Sequence, residues 1–141
     1  EKIKTIGDAY MCAGGIKSTN ANVSVNAMNT AIEILEWVNL IKEQKPEGIQ
    51  LFDIRIGLSS GPVIAGIVGK TKFQFDIWGD TVNIAARMEQ ASNINRINVA
   101  ESVYNQVKDH FNFEYRGEID AKNRGQLIMY HYLSRKSENA T

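Results

Sequence analysis

Polar and apolar positions alternate through Lys2-Ile3-Lys4-Thr5-Ile6, break at Gly7-Asp8, and resume at Ala9-Tyr10-Met11-Cys12. This pattern predicts a hairpin of two short strands with Asp8 at or near its tip. Gly14-Gly15 and the polar stretch from Lys17 to Asn22 read as a loop. From about Ser24 to Gln44 the period changes. Met28, Ala31, Ile32, Leu35 and Val38 fall at helical spacing, and Ile34, Trp37 and Ile41 widen the stripe. So broad an apolar face predicts a heavily packed helix, with Met28 and Trp37 both turned to the core. Lys45-Pro46-Glu47-Gly48 ends it.

Further on, Phe52, Ile54, Ile56 and Leu58 alternate with Asp53, Arg55 and Gly57, as in a half-buried strand. The stretch from Pro62 to Val68 is apolar throughout, which fits a fully buried strand or a short helix. Phe73 to Trp78 alternates again and sets Asp76 on the face opposite Phe75 and Ile77. Gly79-Asp80 predicts a turn with Asp80 as the N-cap of a helix running from Thr81 to about Ala91. A strand from Ile97 to Ala100 and a helix opening near Glu101 follow. Two strands, Phe113 to Ala121 and Leu127 to Leu133, close the pattern through Lys122-Asn123-Arg124-Gly125. Strands and helices mix without strict alternation, so the expected class is α+β with a largely antiparallel sheet.

A length of 141 residues fits one domain with a real core. Apolar residues at 43% and charged residues at 23% exclude a disordered chain. Sixteen basic residues balance sixteen acidic ones, which argues against a surface that coats nucleic acid. A local cluster of cations still suffices for one anionic small molecule. The single cysteine, Cys12, excludes an internal disulfide framework and suits a reducing, cytoplasmic setting. No apolar run reaches the length of a membrane span, so no membrane contact is expected from this segment. The chain opens at Glu1 in strand-like sequence without an initiator methionine, and reads as a piece of something longer.

Gly69-Lys70-Thr71 looks like the end of a phosphate-cradling loop, but that motif needs a glycine where Ile64 stands, and a hairpin turn fits better. Asn83 and Arg87, four apart, share a helix face. An amide beside a guanidinium can hold a phosphate oxygen or a developing negative charge. An ordinary solvated face carries the same spacing. Asp8 is either a turn residue or a carboxylate presented to a cation, and hard cations usually want a second carboxylate that nothing nearby supplies. Lys4 and Asp76 offer a donor and an acceptor on separate strands, able to pair with each other or to read a base edge, but the residues alone do not single them out. His110 and His131 lack ligand-spaced partners, which leaves them core or surface roles.

Taken together, three segments resemble the catalytic domain of class III nucleotidyl cyclases, the adenylyl and guanylyl cyclases. They are Glu1 to Met11, Arg55 to Gly61, and above all Phe75-Asp76-Ile77-Trp78-Gly79-Asp80-Thr81-Val82-Asn83-Ile84-Ala85-Ala86-Arg87-Met88-Glu89. A weaker echo is Arg116 to Lys122. The resemblance implies a ferredoxin-like βαββαβ-type core and conversion of a nucleoside triphosphate into a 3′,5′-cyclic nucleotide and pyrophosphate. It implies two divalent cations, Mg²⁺ or Mn²⁺, with Asp8 matching one of two metal-binding aspartates. Asn83 and Arg87 match the pair that orients the ribose and stabilises the transition state. Arg96 and Lys122 match phosphate-binding cations, and Lys4, Asp76 and Ile77 match base-contacting positions. Guanylyl cyclases typically place Glu and Cys where Lys4 and Asp76 stand, so the substrate implied is ATP.

The family's sites lie between two domains arranged head to tail, with Asp8 and Arg96 from one chain and Lys4, Asp76, Asn83, Arg87 and Lys122 from the other. One chain carries both sets, so a homodimer is the simplest arrangement. The family's first strand, with the other metal aspartate, and the helices after it should precede Glu1. The 141 residues alone are therefore expected to be weakly active or inactive. Guanylyl cyclase activity and a non-catalytic dimerisation or nucleotide-sensing module are the alternatives.

Overall fold

The computed structural model describes residues 1–17, 20–121 and 125–137. The opening segment forms a hairpin of β1 (Lys2–Ile6) and β2 (Ala9–Cys12), with Ile6 opposite Ala9. Gly7 turns the chain at φ 59°, a left-handed conformation that glycine adopts without a Cβ clash. Helix α1 (Val23–Gln44) follows, then β3 (Ile56–Leu58), β4 (Ile64–Val68), β5 (Gln74–Trp78), α2 (Asp80–Gln90), β6 (Ile97–Ala100) and α3 (Glu101–Val107). The long strands β7 (Phe111–Ala121) and β8 (Gly125–Arg135) complete the chain.

Four strands make the central sheet in the order β3-β6-β8-β7. β3 runs parallel to β6 and every other pairing is antiparallel, so the α+β expectation is borne out. β1–β2 and β4–β5 are separate two-stranded sheets. β6 is buried along its whole length because its two faces serve two cores. Ile97 and Val99 pack with Met28, Ala31 and Ile32 of α1, Val103 and Val107 of α3, and Phe111. On the opposite face Ala100 packs with Met88 of α2 and Met129 of β8. The central sheet is thus covered by α1 and α3 on one side and by α2 on the other.

Several boundaries differ from the sequence pattern. Helix α1 buries Met28, Ala31 and Ile32, whereas Trp37 is 63% exposed. At 1.5 Å per residue the helix is roughly 33 Å long, while β6, the strand beneath it, has four residues. Its C-terminal turns therefore overhang the sheet, and Trp37 is not a core residue. The strand expected from Phe52 forms only over Ile56–Leu58, where β6 offers partners. Asp53 pairs instead with Lys42 on α1. The apolar run ending at Val68 is a strand but not a buried one: Ile67 is 70% exposed, because the cover that buries Ile77 on the same face of the ribbon does not reach it. Gly69 to Phe73 is the connection inside that ribbon, as a hairpin turn requires. Asp80 is the first residue of α2 rather than its cap. Gly79 holds the cap position at φ 122°, leaving Asp80 in the first turn, where a carboxylate suits the helix dipole.

Candidate functional site

Helix α2 is fixed at both ends, to the β3–β4 connection at its start and to the central sheet at its close. At its start, Thr81 Oγ1 donates to the Pro62 carbonyl at 2.7 Å. Near its end, the fully buried Asn98 donates from Nδ2 to the Met88 carbonyl at 2.9 Å. Arg116 Nη1 donates to the Ala91 carbonyl just past the helix at 2.6 Å. Between them Gly57 of β3 lies against the helix backbone. A Cβ there would sit 2.1 Å from the Glu89 nitrogen and 2.7 Å from the Ala85 oxygen. None of these four anchors was singled out by the sequence pattern. Only Gly57, a glycine inside an alternating strand, carried a signal for close backbone approach.

The outer face of α2 is left to present side chains. Asp80, Asn83, Ile84, Ala86, Arg87 and Gln90, with Ala121 and Leu127 from β7 and β8, line a concavity of about 310 Å³. Asn83 and Arg87 are both exposed there, on the shared face that their spacing predicts. Lys122 follows Ala121 in sequence but lies outside the described residues.

Lys4 and Asp76, 72 positions apart, meet across β1 and β5 with Lys4 Nζ 2.8 Å from Asp76 Oδ2. The other carboxylate oxygen accepts the Ile77 N–H at 2.8 Å. The hydrogen bond from Lys4, aided by Ile77, holds the Asp76 carboxyl below the usual carboxylate range against the opposing effect of partial burial. Two of the three Lys4 donors and two of the roughly four Asp76 lone-pair sites remain for a ligand. The Ile77 side chain is buried, which leaves its main chain as the part able to reach a ligand.

Asp8 sits exposed at the turn between β1 and β2, as the pattern predicts. Arg96 lies in the turn before β6, 3.7 Å from Glu114. The structure thus brings together Lys4 with Asp76 and Asn83 with Arg87, while Asp8 and Arg96 stand apart. Among the described residues no three His, Cys, Asp or Glu side chains converge. Asp8 alone does not make up the carboxylate pair that two hard cations ask for. His110 is exposed, and His131 is buried beside Asn98 and Glu114 on neighbouring strands. No helix among the described residues is long and apolar enough to cross a membrane.

An α+β domain with donors on one helix face and an ion pair beside it invites comparison with nucleotide enzymes. The family model for the adenylate and guanylate cyclase catalytic domain matches residues 1–134, and the chain belongs to that family. An adenylate cyclase of Mycobacterium bovis is 35% identical over 136 residues, covering 96% of this chain and 30% of that protein. The solved guanylate cyclase domain of RhGC from Catenaria anguillulae, in complex with GTP, is 32% identical with a TM-score of 0.83. The match covers 96% of this chain and 72% of that one. The adenylyl cyclase CyaB from P. aeruginosa is 25% identical with a TM-score of 0.86, covering 99% and 74%. The chain therefore spans less than a third of that curated relative and about three quarters of the solved domains. Adenylyl and guanylyl cyclases both stand among its relatives.

Proposed function

We propose that this domain converts ATP into 3′,5′-cyclic AMP and pyrophosphate at sites shared between two head-to-tail copies. The observation that carries the choice of ATP is the Lys4–Asp76 ion pair at 2.8 Å. Adenine presents an acceptor, N1, beside a donor, its 6-amino group. An ammonium and a carboxylate held side by side complement that edge. Guanine places an acceptor at position 6 and a donor at N1, which reverses the order.

In the reaction the ribose 3′-oxygen bonds to the α-phosphorus. The bond from that phosphorus to the oxygen bridging to the β-phosphate breaks, pyrophosphate departs, and the 3′-hydroxyl proton is released. Asn83 supplies amide donors to hold the ribose in line. Arg87 supplies guanidinium donors for the charge that develops on the α-phosphate. Arg96 and Lys122 are proposed as further phosphate-binding cations, and the Ile77 main chain as a base contact. Two divalent cations, Mg²⁺ or Mn²⁺, belong to the proposal, with Asp8 as one ligand.

The test measures cyclic AMP and cyclic GMP made by the chain extended upstream. Cyclic AMP should predominate, and Lys4→Glu with Asp76→Cys should shift the ratio toward cyclic GMP. Predominant cyclic GMP from the unaltered protein would overturn the choice of base. Absence of either product, with nucleotide still bound, would support the sensing-module alternative.

A further inference from the structure

Helix α2 ends on carbonyls that the helix itself cannot serve. Those of Arg87 and Glu89 accept the Ala91 and Ser92 N–H groups at 2.9 and 3.1 Å. The Met88 carbonyl between them accepts from the sheet, through Asn98 Nδ2 at 2.9 Å. The same Nδ2 lies 3.3 Å from Met129 Sδ and 3.7 Å from Met88 Sδ, weak acceptors that suit its second proton. An asparagine amide can turn over, and only one of its two orientations works here. Turned over, Oδ1 would meet the Met88 carbonyl, two acceptors with no proton between them.

A donor on the Oδ1 side selects the working orientation. Asn98 Oδ1 is buried with no hydrogen-bond partner among the described residues, and the same holds for His131 Nε2. The two residues are direct partners on β6 and β8. Their side chains therefore stand on one face of the sheet, with Cβ atoms about 5 Å apart. Asn98 is fully buried and His131 is 3% exposed. Burial, then the charges of Arg116 and Arg96, pushes the His131 pKa down to about 4, so the ring is neutral and carries one proton. Glu114, the partner of His131 on β7, turns its carboxylate to Arg96 at 3.7 Å. An orphaned acceptor beside an orphaned ring nitrogen is rare in a folded interior, and a shared water resolves both.

We infer that Asn98 and His131 are a positioning pair for Arg87, with His131 Nε2–H donating through one bridging water to Asn98 Oδ1. That contact fixes the amide with Nδ2 toward Met88, the residue after Arg87, and so seats the last turn of α2 on the sheet. The inference rests on the nucleotide reading of the Asn83–Arg87 face. Neither residue lines the concavity there. Arg87 acts on charge that develops during the reaction, so losing the pair lowers kcat and leaves KM close to the parent value.

The test joins proton–nitrogen NMR of the imidazole to cyclase kinetics, both on the upstream-extended protein. At pH 7 the His131 ring should be the neutral Nε2–H tautomer, read on the unaltered protein and so independent of how any variant folds. His131→Phe keeps a ring of similar size without the donor, and should lower kcat about tenfold with KM within about threefold. His131→Gln, whose amide reaches to a similar place, should return kcat to within about threefold of the parent. A ring that only fills space predicts the reverse order, with Phe the better substitute. An Nδ1–H tautomer in the parent, or parental kcat in His131→Phe, would overturn the inference. Parental kcat in Arg87→Ala would instead locate the failure in the nucleotide reading of the face, while the tautomer still decides whether the pair exists.

Discussion

The contact between Gly57 and α2 makes a quantitative prediction. The Cβ of Gly57→Ala would meet the Glu89 nitrogen at 2.1 Å, the Glu89 Cα at 2.7 Å and the Ala85 oxygen at 2.7 Å. Contacts of this kind normally stay beyond about 3.4 Å, so the helix has to withdraw by about 1 Å from β3. The obstacle is backbone, which cannot rotate aside. The cost should fall at the upper end of the overpacking range, about 3 kcal/mol, felt as a melting temperature lower by about 6–12 °C. The same withdrawal carries Asn83 and Arg87 away from the ion pair on β1 and β5. A displacement of about 1 Å in a positioned group costs on the order of 100-fold in turnover. Calorimetry and the cyclase assay on the upstream-extended protein read the two effects together. A melting temperature within 2 °C of the parent and turnover within about threefold would refute the idea that this glycine seats the helix.

Two further predictions follow from other parts of the molecule. Arg87→Ala should lower kcat by about 100-fold or more while leaving the melting temperature within a few degrees, since the side chain is exposed and packs no core; near-parental turnover would remove its proposed role. His131 gives a pH dependence: burial first, then the charges of Arg116 and Arg96, lowers its pKa from 6.5 to about 4. The folded protein holds that proton more weakly than the unfolded chain. Stability from this group is complete above about pH 6.5 and is lost as pH falls toward 4, by about 1–2 kcal/mol between pH 7 and pH 5. His131→Asn should flatten that part of the urea-midpoint profile, and an unchanged slope would show that another group sets it.

The sequence pattern carried the elements well where a local rule decides them. The Gly7 turn, the α1 period and the alternation in β5 each arise within a few residues. Burial was less legible, because periodicity states which residues can share a face and not what will cover it. Trp37 and Ile67 have the spacing of core residues and lie exposed, since the helix overhangs its sheet and the cover over Ile77 does not extend along the ribbon to Ile67. In the candidate site, Asn83 and Arg87 were readable from one helix. Lys4 and Asp76 are 72 residues apart and were joined only through the family resemblance; a donor and an acceptor on different strands have no local signature. Asn98 and Arg116 left no trace in the pattern, because a side chain that caps a distant carbonyl is specified by the tertiary path alone.

The Lys4–Asp76 pair has one more consequence. Its side chains retain only 28% and 17% of their exposure, so changing either residue alone strands a partly buried charge. On the proposed roles, a lineage moving from one purine to the other cannot take the two steps with equal ease. Whichever substitution comes first yields an intermediate that is less stable and reads neither base well. Base preference in such a domain should therefore persist for long periods and change in coupled jumps. Because the pair sits on β1 and β5, outside α2, each jump can leave the helix that carries Asn83 and Arg87 untouched.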